Sequence, residues 1–301
     1  MEVQLRKETE ILVMSIVVNT NMSSLMVQRQ LFYASTSLQK NMQKLSSGLR
    51  INTAGDDAAG LAISEKMKAN INASDIAKLN TQTGVSMLQT AEGDLGVLQD
   101  NLQRMRDLAV QSANGVYSSS ERAMIQAEFK ERLAEVDRIA ESSKFSDMNL
   151  LDGSITDMVL QVGTDNTTNS RISVTSSFLK ISTSTLGTDS ASKDQVANLK
   201  SATISTAQQA RYTLDVLDTA INDISSRRSL YGSTINRLQA SITRIEVRKE
   251  NLSSANSIIR DTDIAKETAD LTKNQILQQA SSTLLKQASQ STTIALTLLQ
   301  G

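Results

Sequence analysis

The chain has 301 residues, a net charge of −1 and no Pro, Cys, His or Trp. Without His and Cys it has no imidazole base, thiolate nucleophile or disulfide, which excludes Ser-His-Asp hydrolases, Cys proteases and zinc proteases. It lacks the basic excess of nucleic-acid binders, and no apolar run approaches the ~18 residues of a membrane span. We therefore expect no enzyme activity, no metal or cofactor, no nucleic-acid partner and no membrane insertion.

The N-terminal region divides into an extension and a helix. Residues 1–13 are charged, carry no heptad pattern and precede Met14, at which we expect translation normally to start; the predicted extension spans residues 1–14. A helix is predicted within residues 15–55, ending near Gly48, because glycine commonly stops helices. Its residues at alternating spacings of four and three form one stripe: Leu31, Ser35, Leu38, Met42, Leu45 and Leu49.

Two helices are predicted over residues 56–143. The first begins after Asp56 or Asp57, either of which can cap it, and runs to about Ala113. Ser118 and Glu121 have the spacing of a capping box and mark the start of the second, which ends by about residue 143. Two apolar stripes follow the heptad or helical period: Leu88, Ala91, Leu95, Leu98, Leu102, Met105 and Ala109, and then Ile125, Phe129, Leu133, Val136 and Ala140.

Residues 144–193 differ in character from the helices around them. Residues 158–162 and 171–174 are predicted to form short strands of a hairpin. Between residues 161 and 193, 15 of 33 residues are Ser or Thr. This density predicts an exposed insertion with no further core, and we expect residues 164–192 to face solvent.

The strongest heptad pattern follows, within residues 194–260. Three of its positions, Arg228, Lys249 and Asn256, are polar. They act either as register-setting or snorkelling side chains or as contacts with a neighbouring subunit. The remaining positions are apolar and predict a long rod packed on the helix that ends near Ala113: Leu214, Leu217, Ile221, Ile224, Tyr231, Ile235, Leu238, Ile242, Ile245, Leu252 and Ile259.

A last helix is predicted within residues 261–301. Its stripe keeps roughly heptad spacing: Leu277, Ala280, Leu284, Ala288, Ser291, Ala295 and Leu298. Because two helices alone bury little apolar area, the terminal helices should pair with each other and then with further copies. The predicted fold is therefore mainly α, a long antiparallel coiled-coil bundle with a small β-hairpin insertion and paired N- and C-terminal helices.

The chain contains four ordered motifs: Leu45-Ser-Ser-Gly-Leu-Arg-Ile-Asn52, Asp56-Asp-Ala-Ala-Gly-Leu-Ala-Ile63, Leu102-Gln-Arg-Met-Arg-Asp-Leu-Ala-Val-Gln-Ser-Ala-Asn114 and Gln275-Ile-Leu-Gln-Gln-Ala280. With these motifs the sequence resembles bacterial flagellins. The resemblance covers about residues 15–151 and 191–301. It implies a subunit that polymerises into the flagellar filament for motility, is secreted unfolded by the flagellar type III apparatus, and lies outside the cell.

The resemblance also implies the roles of particular segments. Residues 15–55 and 261–301 would form the inner filament core, residues 56–143 and 194–260 the rod, and residues 144–193 the outer surface. Further partners would be an export chaperone at the C-terminal helix and the filament cap and hook-junction proteins. Assembly would use residues of both terminal helices: Leu31, Leu38, Leu45, Leu277, Leu284 and Leu298.

The sequence leaves open the role of three residues and the exact function of the chain. Arg104, Leu108 and Glu128 match positions through which some flagellins engage the vertebrate flagellin-sensing Toll-like receptor, yet packing between subunits would use the same positions. A hook–filament junction protein shares the terminal helices and is the alternative function. A secreted coiled-coil protein that does not polymerise is a third class.

Overall fold

The computed structural model describes residues 20–155, 158–174, 178, 180–187 and 198–300, with only the backbone for 291–300. The predicted extension, Met14 and the side chain of Leu298 lie outside the described residues. The elements confirm the predicted mainly α fold. They are α1 (Met22–Ser47), α2 (Ala58–Ala113), α3 (Ser119–Ser142), β1 (Lys144–Phe145), β2 (Met148–Asn149), β3 (Val159–Gln161), β4 (Arg171–Ser173), α4 (Ala207–Arg260) and α5 (Ile264–Gln300).

Local capping residues set the helix boundaries close to the predicted ones. Asn21 caps α1 by accepting a hydrogen bond from the Ser24 amide at 3.0 Å, and Gly48 ends the helix with φ at +71°. The Ser118 hydroxyl accepts from the Glu121 amide at 3.3 Å, while the Glu121 carboxylate accepts from the Ser118 amide at 2.7 Å. The predicted capping box is therefore confirmed.

The described residues form two compact units. The terminal unit lies within Met1–Met67 and Ser254–Gly301, and the rod unit within Lys68–Ser253. Within the rod unit, all seven residues of the predicted α2 stripe are fully buried, as are Phe129 and Val136 of α3. The hydrophobic core of this unit therefore follows the predicted seams of α2 and α3.

The stripe of α4 agrees with the prediction in one row and differs in the other. The predicted row of Leu217, Ile224, Tyr231, Leu238 and Ile245 is buried. In the other row, the buried residues are small, and each lies one position before a predicted apolar residue. The predicted apolar residues themselves are only half-buried. Burial in this row therefore falls on small residues, one position before the predicted apolar ones. The small buried residues are Thr213, Ala220, Thr234 and Ser241, and the half-buried ones are Leu214, Ile221, Ile235 and Ile242.

The insertion contributes to the core, contrary to the expectation of an exposed loop. β3 and β4 pair antiparallel with Leu160 opposite Ile172, and the exposed neighbours of Ile172 in β4 alternate with its buried side chain. Asp137 of α3 accepts hydrogen bonds from the amide and hydroxyl of Thr183, both at 2.8 Å. The expectation rested on the high content of Ser and Thr. Five apolar residues of the insertion are nevertheless at least nine-tenths buried: Ile172, Val174, Phe178, Ile181 and Leu186.

Candidate functional site: the terminal helix pair

The terminal unit contains α1 and α5 as an antiparallel pair. The side-chain amide of Asn21 donates through Nδ2 to the Ala288 carbonyl at 2.9 Å near one end of the pair. Near the other end, the Lys44 ammonium lies 4.0 Å from the Glu267 carboxylate. As the residue number rises along α1, its partner's number falls along α5, which confirms the predicted pairing of the terminal helices.

Small and polar residues lie at the centre of this helix pair. Asn41, Glu267 and Ser281 are each at least 90% buried, as is Ala34. In the amide orientation that satisfies both of its ends, Asn41 donates to the Glu267 carboxylate at 3.3 Å and accepts from the Leu271 amide at 3.1 Å. A buried polar contact of this kind fixes the register of a helix pair but supplies little apolar burial.

Large apolar side chains lie on the surface of α1 that faces away from α5. Phe32 is 67% exposed, although an aromatic ring of this size is usually buried. Tyr33 beside it makes an edge-on ring contact with Phe32 at a centroid distance of 6.2 Å. We name the set the outer stripe of α1, and its members are each more than half exposed: Met22, Leu25, Met26, Phe32 and Tyr33.

The predicted assembly leucines occupy two different environments. Four of them, Leu31, Leu38, Leu45 and Leu277, are half-buried between the helices. Leu284 is 53% exposed, and the nearby buried position of α5 is Ser281. Predicted stripe member Met42 is likewise 52% exposed, with Asn41 buried in its place. The buried contact within the pair therefore departs from parts of the predicted stripes, by one residue at Asn41 and Met42.

A hydrogen-bonded clamp joins the segment after α1 to the end of α4. The Arg50 amide donates to the Arg260 carbonyl at 2.7 Å, and the Thr262 amide to the Gly48 carbonyl at 3.0 Å. The guanidinium of Arg50 donates to the carbonyls of Ile258 and Ile259, which lie in the last turn of α4. A cation there satisfies free carbonyls and opposes the helix dipole, so the guanidinium of Arg50 caps the C-terminal end of α4.

The turn before α2 is organised by a carboxylate. Asp56 accepts from the amides of Thr53 and Asn52 at 3.0 and 3.1 Å. These backbone donors, Thr53 first, hold the pKa of Asp56 below its ordinary 3.8. Asp57 caps α2 by accepting from the Gly60 amide at 2.9 Å, so both predicted aspartates have structural roles.

Ion pairs join α2 and α4 within the rod unit. Two of the polar interruptions of the α4 heptad take part. The Arg228 guanidinium donates to Glu92 at 2.7 Å and to Gln99 at 2.6 Å, and the Lys249 ammonium donates to Asp75 at 2.6 Å. These contacts within one chain favour the register-setting interpretation. Further pairs in the same antiparallel order are Lys78–Glu246 and Arg106–Asp218.

The three candidate receptor residues do not share one exposed surface. The guanidinium of Arg104 on α2 pairs with the Glu128 carboxylate of α3 at 3.0 Å, and both side chains are more than 40% exposed. Leu108, one turn along α2, is only 2% exposed and belongs to the hydrophobic core. Its side chain packs within the subunit, and the receptor role of the group stays a prediction.

No helix in the described ranges is long and apolar enough to cross a membrane. Within the same ranges, acidic side chains nowhere gather in a group of three or more that could hold a metal ion.

A rod unit of long helices and a terminal helix pair with exposed apolar residues define a mainly helical structural protein. Residues 18–156 match the family described as the bacterial flagellin N-terminal helical region, and residues 214–299 match the C-terminal helical region. The chain belongs to the bacterial flagellin family. It is a structural subunit of the flagellar filament, a homopolymer, and not an enzyme.

Similar proteins include flagellins of two bacteria. The chain is 41% identical to flagellin FlaB2 of Treponema pallidum (strain Nichols) over 294 residues, covering 94% of this chain and all of the relative. It is 39% identical to flagellin of Bacillus subtilis (strain 168), covering 94% and 99%. A putative flagellar hook-associated protein from Vibrio parahaemolyticus shares the fold at a TM-score of 0.55 and 13% identity, covering 68% and 99%.

The outer stripe of α1 and the Arg50 clamp were not predicted from the sequence. A signal for the stripe exists, because Met22, Met26 and Tyr33 recur near the helical period outside the predicted stripe. The clamp has no such signal, since Arg50 reaches carbonyls more than 200 residues away along the chain.

Proposed function

We propose that the outward-facing surfaces of α1 and α5 are the contacts through which copies of this chain pack into the inner wall of the filament. The observation that supports this is the placement of side chains in the helix pair. Polar Asn41 and Glu267 lie inside, whereas Phe32 and Ile276 are 67% and 60% exposed. Removing apolar surface from water is favourable, so the exposed apolar residues of such a pair stabilise the protein only when another surface covers them.

A charge on the outer stripe tests this proposal. Phe32→Asp should abolish seeded polymerisation and leave the helical circular dichroism unchanged, because the site is exposed in the single chain. Gln30→Asp adds the same charge at an exposed polar position of α1 and is the matched control. Sedimentation and electron microscopy report filaments, and normal filaments from Phe32→Asp would contradict the proposal.

The division of the chain among filament layers follows from the same proposal. Residues 15–55 and 261–301 would form the inner core, and residues 56–143 and 194–260 the rod. Residues 144–193 would lie on the outer surface. Limited proteolysis of intact filaments tests this order, since the insertion should be cut before either terminal helix.

Export and the accessory partners are a further part of the proposal. The apolar surface of α5, with Ile276 and Leu284 exposed, suits an export chaperone that shields the C-terminal helix before assembly. The chain would pass unfolded through the flagellar type III apparatus to the cell exterior and contact the cap and hook-junction proteins. Disabling that apparatus should retain the subunit inside cells, and immunolabelling of intact cells should locate exported filaments outside the cell envelope.

We propose that Arg104 and Glu128 contact the vertebrate flagellin-sensing Toll-like receptor. Leu108 would contribute indirectly, by packing α2 onto the core of the rod unit. Arg104→Ala should weaken receptor binding by the purified subunit, whereas Arg138→Ala, which removes an exposed arginine of α3, should not. Equal binding by both variants would contradict this role.

A hook–filament junction protein was the alternative left by the sequence, and the match to both flagellin helical regions favours the filament subunit. Complementation of a flagellin-null strain separates the two, because long filaments indicate a flagellin and short stubs a junction protein.

A further inference from the structure

We propose that Met22 and Met26 are oxidation sites at which conversion to the sulfoxide blocks incorporation of the subunit into a filament. The proposal rests on the assembly role of the outer stripe of α1, to which both methionines belong. They are 61% and 59% exposed and lie four residues apart, one turn from each other on the same face of the helix.

The reaction requires a hydroperoxide, such as hydrogen peroxide, and access to the thioether. The sulfur attacks the terminal peroxide oxygen, the O–O bond breaks as an S–O bond forms, and water leaves after proton transfer. The sulfur loses two electrons and the peroxide gains them. Susceptibility follows exposure, so Met87 and Met105 of the rod core, 3% and 0% exposed, should react far more slowly.

Sulfoxide formation changes the property that the outer stripe contributes to assembly. It converts a flexible apolar side chain into a polar one, while the S=O group in a packed interface needs a hydrogen-bond donor. The exposed neighbours Leu25, Phe32 and Tyr33 are apolar or aromatic and make the stripe continuous. Two sulfoxides at its N-terminal end should therefore raise the critical concentration for polymerisation at least about tenfold, or about 1.4 kcal/mol.

The experiment treats the full-length monomer with hydrogen peroxide, maps each sulfoxide by mass spectrometry and measures seeded polymerisation. The Met22→Leu/Met26→Leu variant keeps an apolar stripe, and treatment should leave its critical concentration at the value measured for the same variant before treatment. The matched control replaces the other three methionines of the described residues that are more than one-third exposed, Met42, Met124 and Met148, and should lose polymerisation as the unmodified chain does. Reduction by the two methionine sulfoxide reductases should restore assembly, since each acts on one epimer.

Different failures have different meanings. Unchanged polymerisation of a monomer oxidised at both sites overturns the proposal, as does oxidation of Met124 and Met148 that spares Met22 and Met26. Loss of assembly by oxidised Met22→Leu/Met26→Leu would also overturn it, because the effect would then lie elsewhere. The Phe32→Asp variant separates these results from failure of the proposed function, since normal filaments from that variant would show that the outer stripe is not an assembly surface.

Discussion

Removal of residues 264–301 should abolish polymerisation but leave the rod unit folded. The deletion takes away all of α5, so Asn41 and Lys44 lose their partners and α1 should unfold. The hydrophobic core cluster extends from Met87 to Leu238 and contains no residue of the deleted segment. The five helices hold 26, 56, 24, 54 and 37 residues, so α1 and α5 together account for about a third of the helical signal.

Far-ultraviolet circular dichroism with urea denaturation measures this outcome. The truncated chain should keep about two thirds of its helicity and the unfolding midpoint of the rod unit, because that core is unaltered. Full-length Ile276→Asp is the matched control: it retains α5, changes only an exposed side chain, and should lose filaments without losing helicity. Loss of nearly all helicity on truncation would show that the rod unit depends on the terminal pair, and filaments from the truncated chain would refute the assembly role of α5.

Three further predictions concern core packing, backbone conformation and titration. Leu98→Ala in the fully buried seam should lower the free energy of unfolding by about 2–5 kcal/mol in urea titration, whereas exposed Val97→Ala should change it by less than about 0.5 kcal/mol. Gly187→Ala should destabilise by about 1–3 kcal/mol, because φ is +70° and a Cβ would lie 2.8 Å from a backbone carbonyl oxygen. Gly93→Ala, in an open helical position, should stabilise by about 0.5–1 kcal/mol by the same assay. The lowered pKa of Asp56 contributes stability above its unfolded pKa that is lost as pH falls through the folded value, so Asp56→Asn should flatten the acid dependence of the thermal midpoint.

The sequence predicted helix positions well where one apolar stripe faces one core. Every member of the α2 stripe from Leu88 to Ala109 is fully buried, because heptad spacing places such residues on a single face. The C-terminal end of α1 and the N-terminal start of α3 were predictable from Gly48 and Ser118, because their capping contacts involve only residues a few positions away. Local chemistry and periodicity together therefore determine most of the helical fold.

Prediction failed where a helix packs on more than one neighbour. In α4, apolar Ile221 and Ile235 were predicted to lie in the buried seam, but Ala220 and Thr234 are the buried residues. Average hydrophobicity does not distinguish a fully buried position from a half-buried position beside it. The prediction for the insertion was wrong because many hydroxyl groups lower the average hydropathy of the sequence around Phe178, which is only 1% exposed.

In the terminal pair, the residues that fix the register of α1 against α5 differ from those that carry the large apolar surface. Asn41 and Glu267 hold a polar contact that is satisfied in only one register, so mismatched pairing of α1 with α5 would leave buried polar groups without partners. The pair gains little apolar burial from this arrangement, and Phe32 stays 67% exposed. Full burial of one such ring contributes about 1.5–3 kcal/mol, and a polymer repeats that gain in every subunit. Register is thus fixed within the subunit, and under the proposed packing of the outer stripe the larger apolar gain would come with assembly.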